Sequence, residues 1–240
     1  PFSRHSGRRS HAAGQFQVAH RVMGHRGLFL RQKVHILFCD PYPVGGSDPA
    51  FKHAVIGKDP GRRLVHSLPN YPLDAVLAKA PDVITYVEHG VCDLGIVGKD
   101  TIMEQGGSFF EVLDLQFGKC RFALAVKEGS DFYGTYKTRR IATKYPNVAR
   151  RFFESKQMDV RIIKIEGSVE LAPLLGLSDG IVDIVETGAT LRENGLEVVE
   201  PIHQVSARLI VNAASLKLRK QEIEDLAARL EREIQKGEGK

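Results

Sequence analysis

The chain has few cysteines and no long apolar run, and both features limit the classes of protein to which it can belong. Its three cysteines, Cys39, Cys92 and Cys120, are an odd number without CxxC spacing, so the sequence predicts neither a disulfide framework nor a zinc site. No stretch approaches the roughly 20 apolar residues that cross a bilayer, and the Arg- and Ser-rich start lacks the apolar segment of a signal peptide. We therefore expect a cytoplasmic protein without a membrane partner.

Glutamate is absent from the start of the chain and first occurs at Glu88. Residues 1–60 hold nine Lys and Arg against three Asp, whereas residues 61–240 hold 25 basic and 26 acidic side chains. The net charge of +5 therefore resides in residues 1–60, and the remainder is not a basic protein of the kind that binds nucleic acid. Six of the nine histidines also precede residue 60, but they lack ligand spacing, and we assign no metal ligands.

From residue 73 onward, short apolar runs alternate with helical patterns, which is typical of α/β layering. The form Gly, apolar, small apolar, Asp, apolar occurs at residues 90–94 and again at 180–184. This echo favours two similar lobes, the second inserted into the first. We expect a first lobe at 61–118 and 203–240 that includes a C-terminal helix, and a second lobe at 119–202.

The alternation predicts a series of short elements. Strands are expected at 74–79, 93–97, 121–127, 140–143, 160–165, 181–185 and 208–211. Helices are expected from Pro81 to Gly90, from Pro146 to Ser155, at 169–175, and at 216–235, where apolar residues form one stripe.

The most informative segment follows the strand expected at 181–185. That strand delivers Asp183 and Glu186 near its end, and the turn Thr187-Gly188-Ala189-Thr190-Leu191 comes next. Such a turn presents backbone N–H groups and two hydroxyls to one point, which suits a phosphate monoester. The acids could accept hydrogen bonds from vicinal sugar hydroxyls or meet Mg²⁺. Phosphate and diol together indicate ribose 5-phosphate, although the threonines could also merely cap a helix.

Two nucleotide motifs are excluded. The stretch 95–101 superficially resembles a P-loop, but Asp93 occupies the position that must be glycine, and Asp100 follows Lys99 where Ser or Thr is required. No GxGxxG follows a predicted strand, so a dinucleotide fold is not supported.

Six blocks in order resemble ATP phosphoribosyltransferase, the enzyme that joins ATP to phosphoribosyl pyrophosphate at the start of histidine biosynthesis. The resemblance spans about Gly61 to Ala214, and the blocks are 77–83, 86–96, 98–100, 142–146, 167–170 and 183–196. It implies an α/β fold like that of type II periplasmic binding proteins, in which two lobes are joined by crossing strands and enclose an active-site cleft.

The resemblance also implies roles for particular residues. Thr187 to Leu191 would hold the 5-phosphate, with Asp179 also assigned to substrate binding, and Asp183 and Glu186 would act at the ribose as catalytic residues. Four residues would line the cleft: Lys79, Thr143, Lys144 and Glu170. The reaction displaces pyrophosphate from ribose C1 by N1 of adenine, with Mg²⁺ accompanying phosphoribosyl pyrophosphate, and needs no covalent nucleophile.

The match departs from the family at its start, and its end resembles one form of the family. The family opens with a strand and a Lys-Gly-Arg turn that residues 1–60 lack, so we expect this segment to be out of frame or disordered, with a divergent but genuine extension as the alternative. Its one strand-like run, Val34–Cys39, is followed by helix-breaking glycines and prolines, and we expect it not to form the family's first parallel strand. Only one helix follows Ala214, which is typical of the short form that works with a histidyl-tRNA-synthetase-like partner, so we expect a hetero-oligomer.

Three alternatives stay open from the sequence. A periplasmic-type binding protein would share the two lobes, but would not explain the segment from Asp183 to Thr190. A type I phosphoribosyltransferase for another base also places acids before a similar turn, but lacks the other blocks. An inactive relative is the third, because of residues 1–60.

Overall fold

The computed structural model describes residues 34–39, 65–67, 73–134 and 137–238. The chain divides into two compact units, of which unit 1 comprises residues up to Lys99, Gly107–Gly118 and Ala207 onward. Unit 2 comprises Asp100–Gly106 and Lys119–Ser206. Each unit is built on its own sheet, which gives the two-lobed α/β fold expected from the sequence.

Unit 1 contains a six-stranded sheet in the order β2-β3-β1-β4-β11-β5. Its strands are β1 (Val34–Cys39), β2 (Val65–Ser67), β3 (Leu73–Ala78), β4 (Leu94–Gly98), β5 (Phe110–Asp114) and β11 (Ala207–Val211). Strand β1 runs parallel to both β3 and β4, whereas β11 is antiparallel to β4 and β5.

The position of β1 corrects one expectation. The strand-like run at Val34–Cys39 is a strand, β1. Contrary to the expectation, it takes part in parallel pairing, with β3 on one side and β4 on the other. Parallel pairing requires a long crossover connection, and the chain from Cys39 to Leu73 is long enough whatever conformation it adopts. The rest of the expectation for residues 1–60 falls outside the described residues.

In its described residues, unit 1 also has three helices: α1 (Ala80–Glu88), α6 (Ala213–Leu218) and α7 (Lys220–Glu238). The prediction of a single C-terminal helix at 216–235 is wrong, because the helix is interrupted at Arg219 and two helices form. The apolar stripe nevertheless packs as expected, since Ile223, Leu226, Leu230 and Ile234 of α7 join the core of the sheet. Leu218, which was also expected in this stripe, ends α6 and is 84% exposed.

Unit 2 contains a five-stranded sheet in the order β10-β6-β9-β7-β8. Its strands are β6 (Cys120–Lys127), β7 (Arg139–Thr143), β8 (Val160–Lys164), β9 (Gly180–Val185) and β10 (Leu196–Val205). Strand β9 is central, antiparallel to β6 and parallel to β7. Strand β10 is an edge strand with two irregularities in its register, and the sequence analysis missed it.

Four helices belong wholly or mainly to unit 2: α2 (Lys99–Gln105), α3 (Pro146–Ser155), α4 (Leu171–Leu174) and α5 (Ala189–Glu193). Helix α2 is fixed to the start of α3 because the Glu104 carboxylate accepts the N–H groups of Asn147 at 2.9 Å and Val148 at 3.0 Å. These N–H groups would otherwise lack acceptors, and a negative charge at a helix N-terminus is favourable. No helix of the described ranges is both long and apolar enough to cross a membrane.

Asn212 connects two helices of unit 1, and this role predicts its contribution to stability. Its side-chain oxygen accepts the N–H groups of Ala214 and Ser215 and so caps α6, while its amide donates to the Val87 carbonyl at 2.8 Å. We expect Asn212→Ala to lower the free energy of unfolding by about 1–3 kcal/mol, because it removes a helix cap and the buried hydrogen bond from the Asn212 amide to the Val87 carbonyl.

Urea denaturation monitored by circular dichroism measures this loss. Gln221→Ala, an exposed position on α7, is the control and should change the free energy by less than about 0.5 kcal/mol. Equal midpoints for the two variants would contradict the role of Asn212.

Candidate active site

The candidate site lies where β9 ends and the chain turns into α5. The first half of β9 is buried, whereas Asp183 is half-buried, and Glu186 and Thr187 are exposed. An apolar strand in the middle of a sheet therefore carries polar side chains at its carboxyl end, which is where open α/β sheets bind ligands.

Gly188 gives the turn its shape. It has a left-handed backbone with φ of 73° and immediately precedes α5. A Cβ atom at this position would lie 3.3 Å from Nη1 of Arg192, in addition to the conformational cost of a side chain at positive φ. Glycine is therefore the residue that allows the chain to enter α5 here.

The groups around Gly188 are arranged around the start of α5. The Ala189 N–H donates to Oγ1 of Thr187 at 3.3 Å, and Nη1 of Arg192 donates to the Thr187 carbonyl at 3.2 Å. The N–H groups of Thr190 and Leu191 belong to the first helical turn, where N–H groups have no helical acceptor. The turn thus presents N–H donors and exposed threonine hydroxyls on one short segment.

Asp183 is electrostatically unusual. Burial raises the pKa of its carboxyl to about 6, and the charge of Glu170 adds to this rise, while the N–H of Ile184 and the charge of Lys144 oppose it. Glu170 and Lys144 are themselves half-buried. Lys144 follows strand β7 and Glu170 comes after strand β8, so the fold brings these two predicted site residues close enough to Asp183 to influence its charge. At neutral pH most of the Asp183 carboxyl is ionised in a surrounding that penalises its charge.

Asp100 and Tyr145 also belong to this neighbourhood and were not singled out from the sequence. The Tyr145 hydroxyl donates to the Asp100 carboxylate at 3.3 Å, and burial together with the charges of Asp100 and Asp183 raises the pKa of Tyr145 well above its usual value. Burial and the charges of Asp100 and Glu186 raise the pKa of the Cys120 thiol to about 11. Both missed residues lie within family-like blocks, and that was the signal available in the sequence.

Two predicted site residues, Asp179 and Thr143, bond to other groups of the protein. Asp179 lies before β9, at the opposite end from the turn, where its carboxylate accepts the Arg140 N–H at 2.8 Å and pairs with the Arg140 side chain at 3.4 Å. Thr143 is fully buried, and its hydroxyl donates to the Val182 carbonyl at 2.6 Å. Both side chains are therefore engaged by groups of the protein itself.

Lys79 belongs to unit 1. It is exposed and immediately precedes α1, where its carbonyl accepts the Val83 N–H at 3.1 Å. Within the described parts of the chain, no three His, Cys, Asp or Glu side chains are grouped so that they could hold a metal ion.

Comparison with known proteins assigns the chain to a family. A family model described as HisG, ATP phosphoribosyltransferase, matches residues 79–232, which include every predicted site residue. An ATP phosphoribosyltransferase of Clostridium kluyveri is 59% identical over 174 residues, which are 72% of this chain and 80% of that protein. One of Clostridium acetobutylicum is 54% identical over 180 residues, 75% of this chain and 83% of the relative.

Solved structures agree with this assignment. A chain of the ATP phosphoribosyl transferase (HisG:HisZ) complex from Thermotoga maritima matches with a TM-score of 0.70 and 31% identity, covering 84% of this chain and 98% of that one. The aliphatic sulphonate binding protein SsuA of Escherichia coli matches with a TM-score of 0.56 at 14% identity, covering 85% and 73%, and so shows a shared fold alone. The family model spans more than half of the chain, and the two relatives, each more than 50% identical to this chain, are matched over at least 80% of their length. This chain therefore belongs to the ATP phosphoribosyltransferase family.

Proposed function

We propose that the end of β9 and the turn into α5 hold phosphoribosyl pyrophosphate while N1 of adenine in ATP displaces pyrophosphate from ribose C1. The product is phosphoribosyl-ATP, and the reaction is the first step of histidine biosynthesis. One observation supports this assignment: a half-buried carboxylate, a glycine with left-handed backbone and the first turn of a helix follow one another within nine residues, 183–191, at the end of β9.

The turn 187–191 is the proposed site of the 5-phosphate. Its support is the left-handed Gly188, which lets the backbone approach a ligand closely, followed by N–H groups at the start of α5. The exposed hydroxyls of Thr187 and Thr190 add hydrogen-bond donors that can rotate toward phosphate oxygens.

Asp183 and Glu186 are the proposed catalytic residues at the ribose. Departure of pyrophosphate leaves positive charge on the ribose ring, and a carboxylate in a poorly solvated place stabilises such charge more than it would in water. Burial of Asp183, which raises the pKa of its carboxyl, supports this role because the carboxylate regains a favourable partner as the cation develops. Glu186 is exposed and follows on the same segment, where it can accept hydrogen bonds from the ribose hydroxyls.

A covalent intermediate is not part of the proposed mechanism. The cysteine near the site, Cys120, has a thiol pKa raised to about 11, so it is protonated at neutral pH and is a poor nucleophile. Displacement then depends on orientation of the two substrates and on electrostatic stabilisation.

Mg²⁺ is the proposed cofactor, and the side chains fit a site in which the substrate provides most ligands. Magnesium is commonly bound by one or two carboxylates together with substrate phosphates, and Asp183 and Glu186 supply two carboxylates. When bound, the ion neutralises charge on the leaving pyrophosphate. The protein's own part is to keep both carboxylates close to the phosphate turn.

The short form and a regulatory partner are also proposals. The Thermotoga maritima relative comes from a HisG:HisZ complex, and 98% of that chain is covered by this one. This coverage supports assembly with a histidyl-tRNA-synthetase-like subunit. The cytoplasmic location and the boundaries of the two lobes at 61–118, 119–202 and 203–240 stay predictions from the sequence.

The alternatives lose support. Likeness to SsuA at 14% identity carries the fold but no ligand, so it does not favour a sulphonate-type binding protein. A type I phosphoribosyltransferase would not match the HisG family model over residues 79–232.

Incubation of the full chain with ATP, phosphoribosyl pyrophosphate and Mg²⁺ tests the activity. We expect ultraviolet absorbance to change as N1-substituted adenine forms, and the change should require all three components. Absence of product, both alone and with the partner subunit of a relative, would contradict the proposed activity and favour the inactive relative.

Gly188→Val tests the phosphate turn. A β-branched side chain at φ of 73° would strain the turn and obstruct the approach of a phosphate, so we expect affinity for phosphoribosyl pyrophosphate to fall by at least about 100-fold. Isothermal titration calorimetry measures this affinity. The matched control is Gly176→Val, because Gly176 also has positive φ, at 75°, and its Cβ position is open. Equal affinities of the two variants would refute the assignment.

Asp183→Asn tests the carboxylate by separating activity from stability. We expect turnover to fall about 100-fold because the charge that stabilises the ribosyl cation is lost. At pH 7 the free energy of unfolding should rise by about 1–3 kcal/mol, because the variant no longer buries an ionised carboxylate.

The pH dependence of this effect has a definite sign. The folded-state pKa of Asp183, about 6, lies above the ordinary 3.8, so its contribution to stability is complete below about pH 3.8 and is lost as pH rises through about 6. The gain from Asp183→Asn should therefore be present at pH 7 and vanish at about pH 3 in urea titrations. The control is the exposed Asp159→Asn, for which no such gain is expected. A loss of stability at pH 7 would indicate that Asp183 is a structural strand-end residue.

A further inference from the structure

Strand β9 loses one of its two neighbours just before Asp183. The last pair between β7 and β9 joins Thr143 to Val182, and β7 ends there. Beyond this point, β6 is the one strand of the described residues that pairs with residues 183–185, and Asp183 lies opposite Ala123. The segment that carries the proposed catalytic carboxylate is therefore held by a main-chain ladder on one side only.

The Thr143 hydroxyl supplies the contact on the other side. It donates to the Val182 carbonyl at 2.6 Å, so a side chain makes a bond to β9 where the ladder of β7 stops. The threonine is completely buried, and the bond is therefore shielded from competing water. Val182 is directly bonded to Asp183 in the chain, so the bond fixes the peptide next to the carboxylate.

The same hydroxyl also organises the turn after β7. Its oxygen accepts the N–H of Tyr145 at 2.9 Å, two residues further along, which closes a local side-chain turn. Lys144 lies within that turn, and its charge lowers the pKa of Asp183 against the dominant effect of burial. One hydroxyl therefore connects the strand that carries Asp183 with the turn that carries Lys144.

We propose that Thr143 is a positioning residue for the reaction: its buried hydroxyl fixes the peptide before Asp183 to the turn that carries Lys144. This inference rests on the proposed role of Asp183. It gives Thr143 a role that differs from the cleft-lining contact expected from the sequence, because the hydroxyl is already engaged by two protein groups.

The proposal predicts a difference between two substitutions. Thr143→Val keeps the shape but removes the hydroxyl, so we expect kcat to fall about 10- to 100-fold, as a small misplacement of a catalytic group does. The KM for phosphoribosyl pyrophosphate should change less than about threefold, since the phosphate turn is untouched. Thr143→Ser keeps the hydroxyl and should restore kcat. Thr138→Val, an exposed threonine of the same unit, is the control.

Circular dichroism separates positioning from a general loss of stability. At the assay temperature, Thr143→Val should be as fully folded as the wild type while its kcat is reduced, because the hydroxyl acts on the peptide before Asp183 and on the turn that carries Lys144.

Asp183→Asn, measured in parallel, distinguishes failure of this inference from failure of the proposed function. Wild-type turnover of Asp183→Asn would refute the role of Asp183, and with it the present proposal. Reduced turnover of Asp183→Asn, together with a folded Thr143→Val of unchanged kcat, would overturn the positioning role alone. Equal impairment of Thr143→Ser and Thr143→Val would overturn that role as well. Thr143→Ala replaces the valine variant if valine does not fold.

Discussion

Burial of the Asp183 carboxylate is the interaction on which the site depends. Strand β9 is central in its sheet, so its first half is apolar and its polar end emerges from a desolvated surrounding. Taking a charge out of water is unfavourable, and the sheet compensates this cost elsewhere through packing. The carboxylate is therefore poised to gain from a positive charge that develops beside it. The adjoining turn, the proposed site of the 5-phosphate, is largely exposed.

The fold by itself leaves the function open. A sulphonate-binding protein with 14% identity has the same overall architecture, and no ligand follows from that likeness. The proposed distinction lies in a short segment, where Asp183 stands near the end of β9 and Glu186 and Gly188 follow that strand. Membership of the ATP phosphoribosyltransferase family then supplies the reaction for which this arrangement of charge and N–H donors is suited.

The sequence predicted the buried elements well because burial leaves a strong pattern. The strand at Gly180–Val185 and the helix Pro146–Ser155 were predicted within one residue, since both combine apolar periodicity with clear boundaries. Strand β10 was missed because Pro201 interrupts it and most of its residues are exposed. Helix α2 was missed because none of its residues is fully buried, so it has no apolar stripe.

Long-range polar contacts were beyond sequence reasoning for a different reason. The bond from Thr143 to Val182 joins residues 39 positions apart, and no local pattern marks either partner. The turn after Asp183 was predictable because glycine, threonine and acids occur together in the chain. The account is tested most directly by a crystal structure of the chain with phosphoribosyl pyrophosphate. It predicts the 5-phosphate on the N–H groups of residues 188–191 and a ribose hydroxyl within hydrogen-bond distance of Asp183 or Glu186. A sugar phosphate bound elsewhere, with this turn empty, would contradict it.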